Sequence, residues 1–209
     1  MSDADLLRET SGEVAPVLKD APWLLAVPSL LLAAGFAMDA WVSSLHSVMP
    51  VLVSLLKGVG WAFYVRAAMR VAGGVEDASP VLPIGTFALA FLAMEYGSWF
   101  FLVGVLVWLL PFVDSALVYG DDLAAAFGGV IDTFARGALL WLGTMFAALV
   151  VLVMMGLAFS MPMSIFSDYA HREGAWLADL SGGVLVGPFV HAIIVYRARL
   201  LLALNGDPA

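Results

Sequence analysis

The sequence predicts an all-α fold, a polytopic transmembrane helical bundle of five to six membrane segments. Three observations carry this. Long apolar stretches run Trp23–Val42, Val51–Val71, Ile84–Leu110, Ala138–Phe159 and Leu180–Leu204. Each is near or above the ~20 residues that cross a hydrocarbon core as a helix. The composition is 63% hydrophobic and 12% charged over 209 residues, with a mean hydropathy of +0.99. Such values belong to membrane proteins. The polar breaks are short, so no second folded domain fits between them. The chain divides into an N-terminal amphipathic or flexible segment over 1–22, a transmembrane helical domain over 23–204 and a C-terminal tail over 205–209.

The first 22 residues are acidic and precede any apolar run, which argues against a cleavable signal. Ser2 with Asp5 reads as a helix start. Leu6, Leu7, Val14, Val17 and Leu18 share one apolar face. This predicts a short helix on the membrane surface, with a frayed tail as the alternative. Trp23 and Trp41 bracket the first crossing, where indole rings prefer the interface. The link Ser43–Pro50 carries no Lys or Arg. The second crossing ends in Arg66 and Arg70, and Gly73, Gly74, Pro80 and Pro83 then form a break.

The third stretch is too long for a perpendicular span. Pro83 starts it, Gly97 is placed to bend it and Pro111 ends it, which predicts a tilted or kinked helix. Residues 112–136 are interrupted by Asp114, Asp121, Asp122 and Asp132, while Leu123–Ile131 is mildly apolar. They read as an amphipathic interface helix, with a sixth crossing or a re-entrant segment as alternatives. Arg136 and Trp141 open the next crossing, and Pro162 with Ser167–Glu173 closes it. Trp176 opens the last stretch, and Arg197 and Arg199 lie near its end. Gly60–Gly74 and Phe189–Gly206 echo each other, both placing Tyr and Arg near the end of a long apolar helix.

Charge placement sets orientation, because short loops rich in Lys and Arg stay in the cytoplasm. With the N-terminus inside, Arg8, Lys19, Arg66 and Arg70 are cytoplasmic. An even number of crossings within 84–136 keeps Arg136, Arg197 and Arg199 there as well, leaving Arg172 outside. Five plain crossings put Arg136, Arg197 and Arg199 outside. Hydropathy favours five. Charge favours both termini inside, hence six crossings or four with a re-entrant region.

Several function classes are excluded by residue type. The net charge is −8, from nine Lys+Arg against seventeen Asp+Glu, so nucleic acid is not an expected partner. With no cysteine, disulfides, Cys-ligated metals and thiol catalysis are ruled out. No phosphate-binding loop, zinc-protease, nucleophile-elbow or dinucleotide motif occurs. Histidine is limited to His46, His171 and His191. Asp168, His171 and Glu173 are spaced loosely for a loop metal site and read as a solvated loop. No catalytic residue, cofactor or metal is therefore assigned.

The candidate functional residues are intramembrane polar ones, Glu95, His191, Asp39 and Lys57, because charge at mid-bilayer costs ~2.5–3.5 kcal/mol on insertion scales. Glu95 lies ~16 Å into the third stretch at ~1.5 Å per residue, and His191 lies at similar depth in the last. They are placed to pair, as an interhelical clamp or as part of a polar path. Asp39 and Lys57 flank the short Ser43–Pro50 link, which suits an ion pair with the Lys57 stem turned outward. Ala93-xxx-Gly97, Gly143-xxx-Ala147 and Gly183-xxx-Gly187 are close-approach stripes, read first as packing within the chain, with packing against a partner as the alternative. Met154, Met155, Met161 and Met163 read as core or lipid-facing filler.

The run Tyr64-Val-Arg66-Ala-Ala-Met-Arg70-Val-Ala-Gly73, followed by Leu82-Pro83, resembles uncharacterised bacterial multi-pass families. So does Pro162-Met-Ser-Ile-Phe-Ser-Asp168, followed by Gly174-Ala-Trp-Leu-Ala. These families are of the type of the membrane domain associated with glycerophosphodiester phosphodiesterases. The resemblance covers about a fifth of the chain and implies a bacterial six-helix-type membrane protein of the inner membrane. The expected role is a non-enzymatic integral membrane protein, a small subunit or scaffold of a larger assembly. The alternative is a small transporter component with a polar path at Glu95 and His191. The expected partners are the lipid bilayer and other membrane proteins or further copies of the chain.

Overall fold

The computed structural model describes residues 3–42, 49–72, 81–96, 123–169 and 175–205. Every element among them is helical, as the apolar periodicity predicts. Helix α1 is Asp3–Asp20, followed by a 3-10 turn at Pro22–Leu25 and by α2, Ala26–Val42. Then come α3 (Met49–Val71), α4 (Val81–Tyr96), α5 (Leu123–Tyr169) and α6 (Ala175–Asn205). Pro28, Pro50 and Pro83 stand in the first turns of α2, α3 and α4. The N–H groups of a first turn have no partner within the helix, so a proline there costs nothing.

The described part of the N-terminal segment is the helix α1. Asp3 and Asp5 in its first turn and Lys19 in its last match the helix dipole. Leu6, Thr10 and Val17 form its buried face. The helix stops at Asp20 because Pro22 follows, and the residue before a proline is driven out of the α region. Ala21 accordingly sits at φ −136°, ψ 67°. The chain turns there by 103° into Pro22–Gly35.

Among the described residues, three helices are long and apolar enough to cross a membrane, namely Met49–Val71, Phe127–Met155 and Val184–Leu204. The bent pair Asp3–Asp20 with Pro22–Gly35 raises the number to four if it counts as one span. The five to six segments expected are thus not all present here. α2 and α4 have 17 and 16 residues, which at ~1.5 Å per residue fall short of a ~30 Å core. The expected continuation of the third stretch past Tyr96, with Gly97, Trp99, Trp108 and Pro111, lies outside the described residues.

α5 joins the expected crossing to further helix at both ends. Its backbone leaves helical geometry at Gly137 (φ −161°, ψ 38°), joining an upstream helix to the expected crossing. Downstream the helix runs through Pro162 and ends at Tyr169, within the polar run Ser167–Glu173 expected to close it. A proline removes one backbone bond, a loss that helices in apolar surroundings absorb. The last helix begins at Ala175, next to Trp176, the residue expected to open it.

The helices pack side by side with α6 as hub. α3 with α4 and α2 with α6 make the most extensive contacts, and α5 and α1 also pack on α6. The core lies at one end. Val17, Ala21 and Leu24 meet Tyr64, Val65, Ala68, Met69 and Ala72 of α3 and Ile194, Val195, Ala198 and Leu201 of α6. A second cluster joins Leu6, Trp141 and Leu200. The C-terminal ends of α3 and α6 therefore share one end of the bundle, and α1 lies against it.

The cations gather at that same end. Arg199 Nη1 lies 3.5 Å from Glu13 Oε2, tying α6 to α1. Arg136 Nη1 donates to the Leu204 carbonyl at 3.3 Å. That carbonyl is in the last turn of α6, where intrahelical donors have run out and a cation also meets the negative end of the dipole. Arg8, Lys19, Arg66, Arg70, Arg136, Arg197 and Arg199 all belong to segments assembled here. The chain leaves this end at Ala72 and is back at it by Arg136.

Candidate functional site at the midpoint of α6

Pro188 stands inside α6. With no N–H, it cannot bond the carbonyl four residues earlier, that of Val184. An orphaned carbonyl in hydrocarbon costs several kcal/mol unless another donor reaches it. Ser29 of α2 supplies that donor, its Oγ giving a 2.9 Å bond to the Val184 carbonyl. The approach needs a glycine at 187. A Cβ there would lie 2.5 Å from the Ser29 backbone N and 2.7 Å from its Cα. Gly187, Ser29 and Pro188 thus form one joint between α2 and α6. At Gly187 this is packing within the chain, the first of the two readings of its stripe.

One turn further on, His191 is buried and Tyr64 of α3 meets it, with Tyr64 Oη 2.6 Å from His191 Nδ1. Only 1% of His191 and 3% of Tyr64 is exposed, so no water competes for the bond. Either Oη–H donates to Nδ1 or Nδ1–H donates to Oη, according to the imidazole tautomer. Trp61 stands edge-on to the Tyr64 ring at 5.6 Å and fixes its plane. The result is a neutral polar clamp between α3 and α6, set beside the apolar core at the cation-rich end.

In comparisons with protein-family models, curated proteins and solved structures, no match was found. The family resemblance accordingly rests on the residues quoted for it.

The other sequence candidates are placed as follows. Glu95 belongs to α4 and Asp39 to α2, but both side chains lie outside the described residues. So do the expected Glu95–His191 and Asp39–Lys57 pairings. Lys57 is half-buried on α3, and its Cε packs against Gly35 of α2. That agrees with the antiparallel hairpin inferred for the first two crossings. His46, His171 and Glu173 are also outside the described residues. Gly143 and Ala147 are both exposed, and a Cβ at Gly143 would meet nothing within 4 Å. Their stripe does not pack within the described chain, against the first of the two readings of it.

Sequence reasoning missed Ser29 and Tyr64. The signal for Ser29 was present, since Pro188 orphans a carbonyl and a hydroxyl on a neighbouring helix is the usual remedy. Tyr64 carried no comparable signal beyond being a polar tip in an apolar run. A further opening of about 330 Å³ between α1, α5 and α6 is lined by Val14, Met145, Val151, Phe189, Ile193 and Tyr196. Its lining suits an apolar chain rather than a polar substrate.

The clamp makes a direct prediction. Tyr64→Phe and His191→Phe should each lower stability in detergent by ~0.6–1.7 kcal/mol, the range of interhelical bonds in membrane proteins. The double substitution should cost less than the sum, because each single change strands the other partner. Strict additivity in thermal unfolding would show that the two side chains do not depend on each other.

Proposed function

We propose that this protein is a non-enzymatic subunit or scaffold of a larger membrane assembly. One observation carries the reading. The most apolar windows of α3 and α6 bury 39% and 44% of their residues inside the chain, but that of α5 buries 6%, although its mean hydropathy of 2.4 is the highest. A helix this apolar and this uncovered has its contacts elsewhere, in lipid or in neighbouring helices. Gly143 and Ala147 on its exposed surface suit close approach by another helix.

In this reading the cation-rich end is cytoplasmic, with both termini on that side of a bacterial inner membrane. The return of the chain to one end between Ala72 and Arg136 supports an even number of crossings there. That favours six crossings, or four with a re-entrant region, over five. Reporter fusions at the two termini should then give signals from the same compartment, and opposite signals would restore five spans.

The assembly itself is tested by purification from membranes in mild detergent, with the particle mass measured by light scattering. The expected particle is larger than one chain in detergent. Its protein partner should be lost from the variant carrying Gly143→Leu and Ala147→Leu, while helix content stays unchanged. A single-chain particle in both forms would overturn the proposal.

A further inference from the structure

On α3, Leu52, Leu56, Val59 and Phe63 are 48%, 62%, 37% and 51% exposed. Their spacing puts them on one helix face. Continued by one and two turns, the same face carries Arg66 and Arg70. Gly58 meets α4, Gly60 meets α2 and Tyr64 meets α6, so this face turns away from all three. Arg66 is half-buried. Its Nε is buried with no hydrogen-bond partner, and among the described residues its guanidinium makes no ion pair.

Arg66 stands five residues before the end of α3 at Val71, ~7.5 Å along the helix at ~1.5 Å per residue. An arginine stem spans that depth with its apolar part in hydrocarbon and its head at the interface. The head still requires an acceptor, because an unpaired charge near hydrocarbon is costly. A phosphodiester supplies two anionic oxygens at the spacing of the guanidinium fork.

We propose that this face of α3 holds one anionic phospholipid, with an acyl chain along Leu52, Leu56, Val59 and Phe63 and the phosphate on Arg66 and Arg70. Charge selects this occupant. A second copy docked in parallel would set Arg66 and Arg70 against their own images, and like charges repel. A zwitterionic lipid would place its own cation beside two guanidinium groups. The proposal rests on α3 being a membrane span. That reading is checked separately by whether the wild-type protein stays with the membrane after carbonate extraction.

The test uses the full chain in nanodiscs of equal parts phosphatidylcholine and phosphatidylglycerol, with retained lipids counted by native mass spectrometry. The wild type should retain one phosphatidylglycerol in preference to phosphatidylcholine. Arg66→Gln should weaken that retention about tenfold, the loss of one charge-assisted contact. Arg66→Lys, which keeps the charge without the fork, should weaken it less and serves if the glutamine variant does not fold. Arg8→Gln, an exposed change on α1, should leave it unaltered. No lipid preference in the wild type would overturn the proposal, as would unchanged retention when Arg66 and Arg70 are both glutamine. So would a lipid-free dimer as the main species.

Discussion

Gly58→Ala is expected to destabilise the bundle sharply, while Gly143→Ala is expected to leave it unchanged. A Cβ at Gly58 would lie 2.6 Å from the backbone N of Ala88 and 2.8 Å from its Cα. Backbone cannot rotate aside as a side-chain tip can, so α3 and α4 must move apart. Their contact is among the most extensive in the fold, and separating it would loosen packing along both helices. Overpacking of this kind costs about 1–3 kcal/mol and sometimes more. Larger residues at 58 should prevent recovery of folded protein. At Gly143 the added methyl has nothing within 4 Å. Thermal unfolding of the two variants in one detergent is the measurement. Equal losses would mean that α3 and α4 do not cross at Gly58 and Ala88.

The contrast between these glycines shows what a sequence yields for a chain of this type. Apolar length identified the helices and their approximate limits, because crossing a bilayer requires a run of that length whatever its neighbours. Breaks at Pro22 and Gly137 fell near expected boundaries for local backbone reasons. Pro162 did not act as a boundary, since a helix in apolar surroundings tolerates the loss of one bond. Small-residue stripes were legible as stripes, yet their partners were not. Gly187 packs against Ser29 and Gly143 packs against nothing described, although both occur in the same small-xxx-small spacing. The difference lies in how the helices are arranged around α6, which local pattern does not encode. Similarly, His191 was identifiable as a buried polar group from its depth, but its partner Tyr64 was not. In an apolar run, any hydrogen-bonding side chain at matching depth was a candidate.

The cation-rich end connects fold and orientation. The positive-inside rule counts charges by loop and needs a crossing number before it can be applied. In this structure Arg66 and Arg70 share an end with Arg197 and Arg199 because the two helices share a core, with Val65 and Ala68 packed near Val195 and Ala198. That grouping does not depend on the crossing number. It also gives one acidic residue of α1 a partner, since Glu13 lies beside Arg199 at this end. The pair is partly exposed, so its contribution to stability is small. Val17 and Leu6, in the apolar clusters, hold α1 against the end of the bundle beside it.

Ser29→Ala should cost about 1–3 kcal/mol in the wild-type background and much less when residue 188 is alanine. The serine hydroxyl is the donor to the Val184 carbonyl, and that carbonyl lacks its helical partner only because residue 188 is proline. Removing the hydroxyl alone leaves a part-buried acceptor in apolar surroundings unsatisfied, a loss of about 1–3 kcal/mol. Pro188→Ala restores an N–H at the position from which the helix ordinarily bonds Val184. The hydroxyl then becomes a second donor to a carbonyl already satisfied, and deleting it removes little. Alanine is smaller than serine, so Ser29→Ala creates no clash at the close approach to Gly187, and any loss is attributable to the bond. The four proteins of this cycle, unfolded under identical detergent conditions, should show a coupling of the same size as the single-mutant loss. An unchanged cost of Ser29→Ala in the Pro188→Ala background would sink the idea. It would mean that Ser29 stabilises the α2–α6 crossing by packing, and that Val184 finds its donor elsewhere.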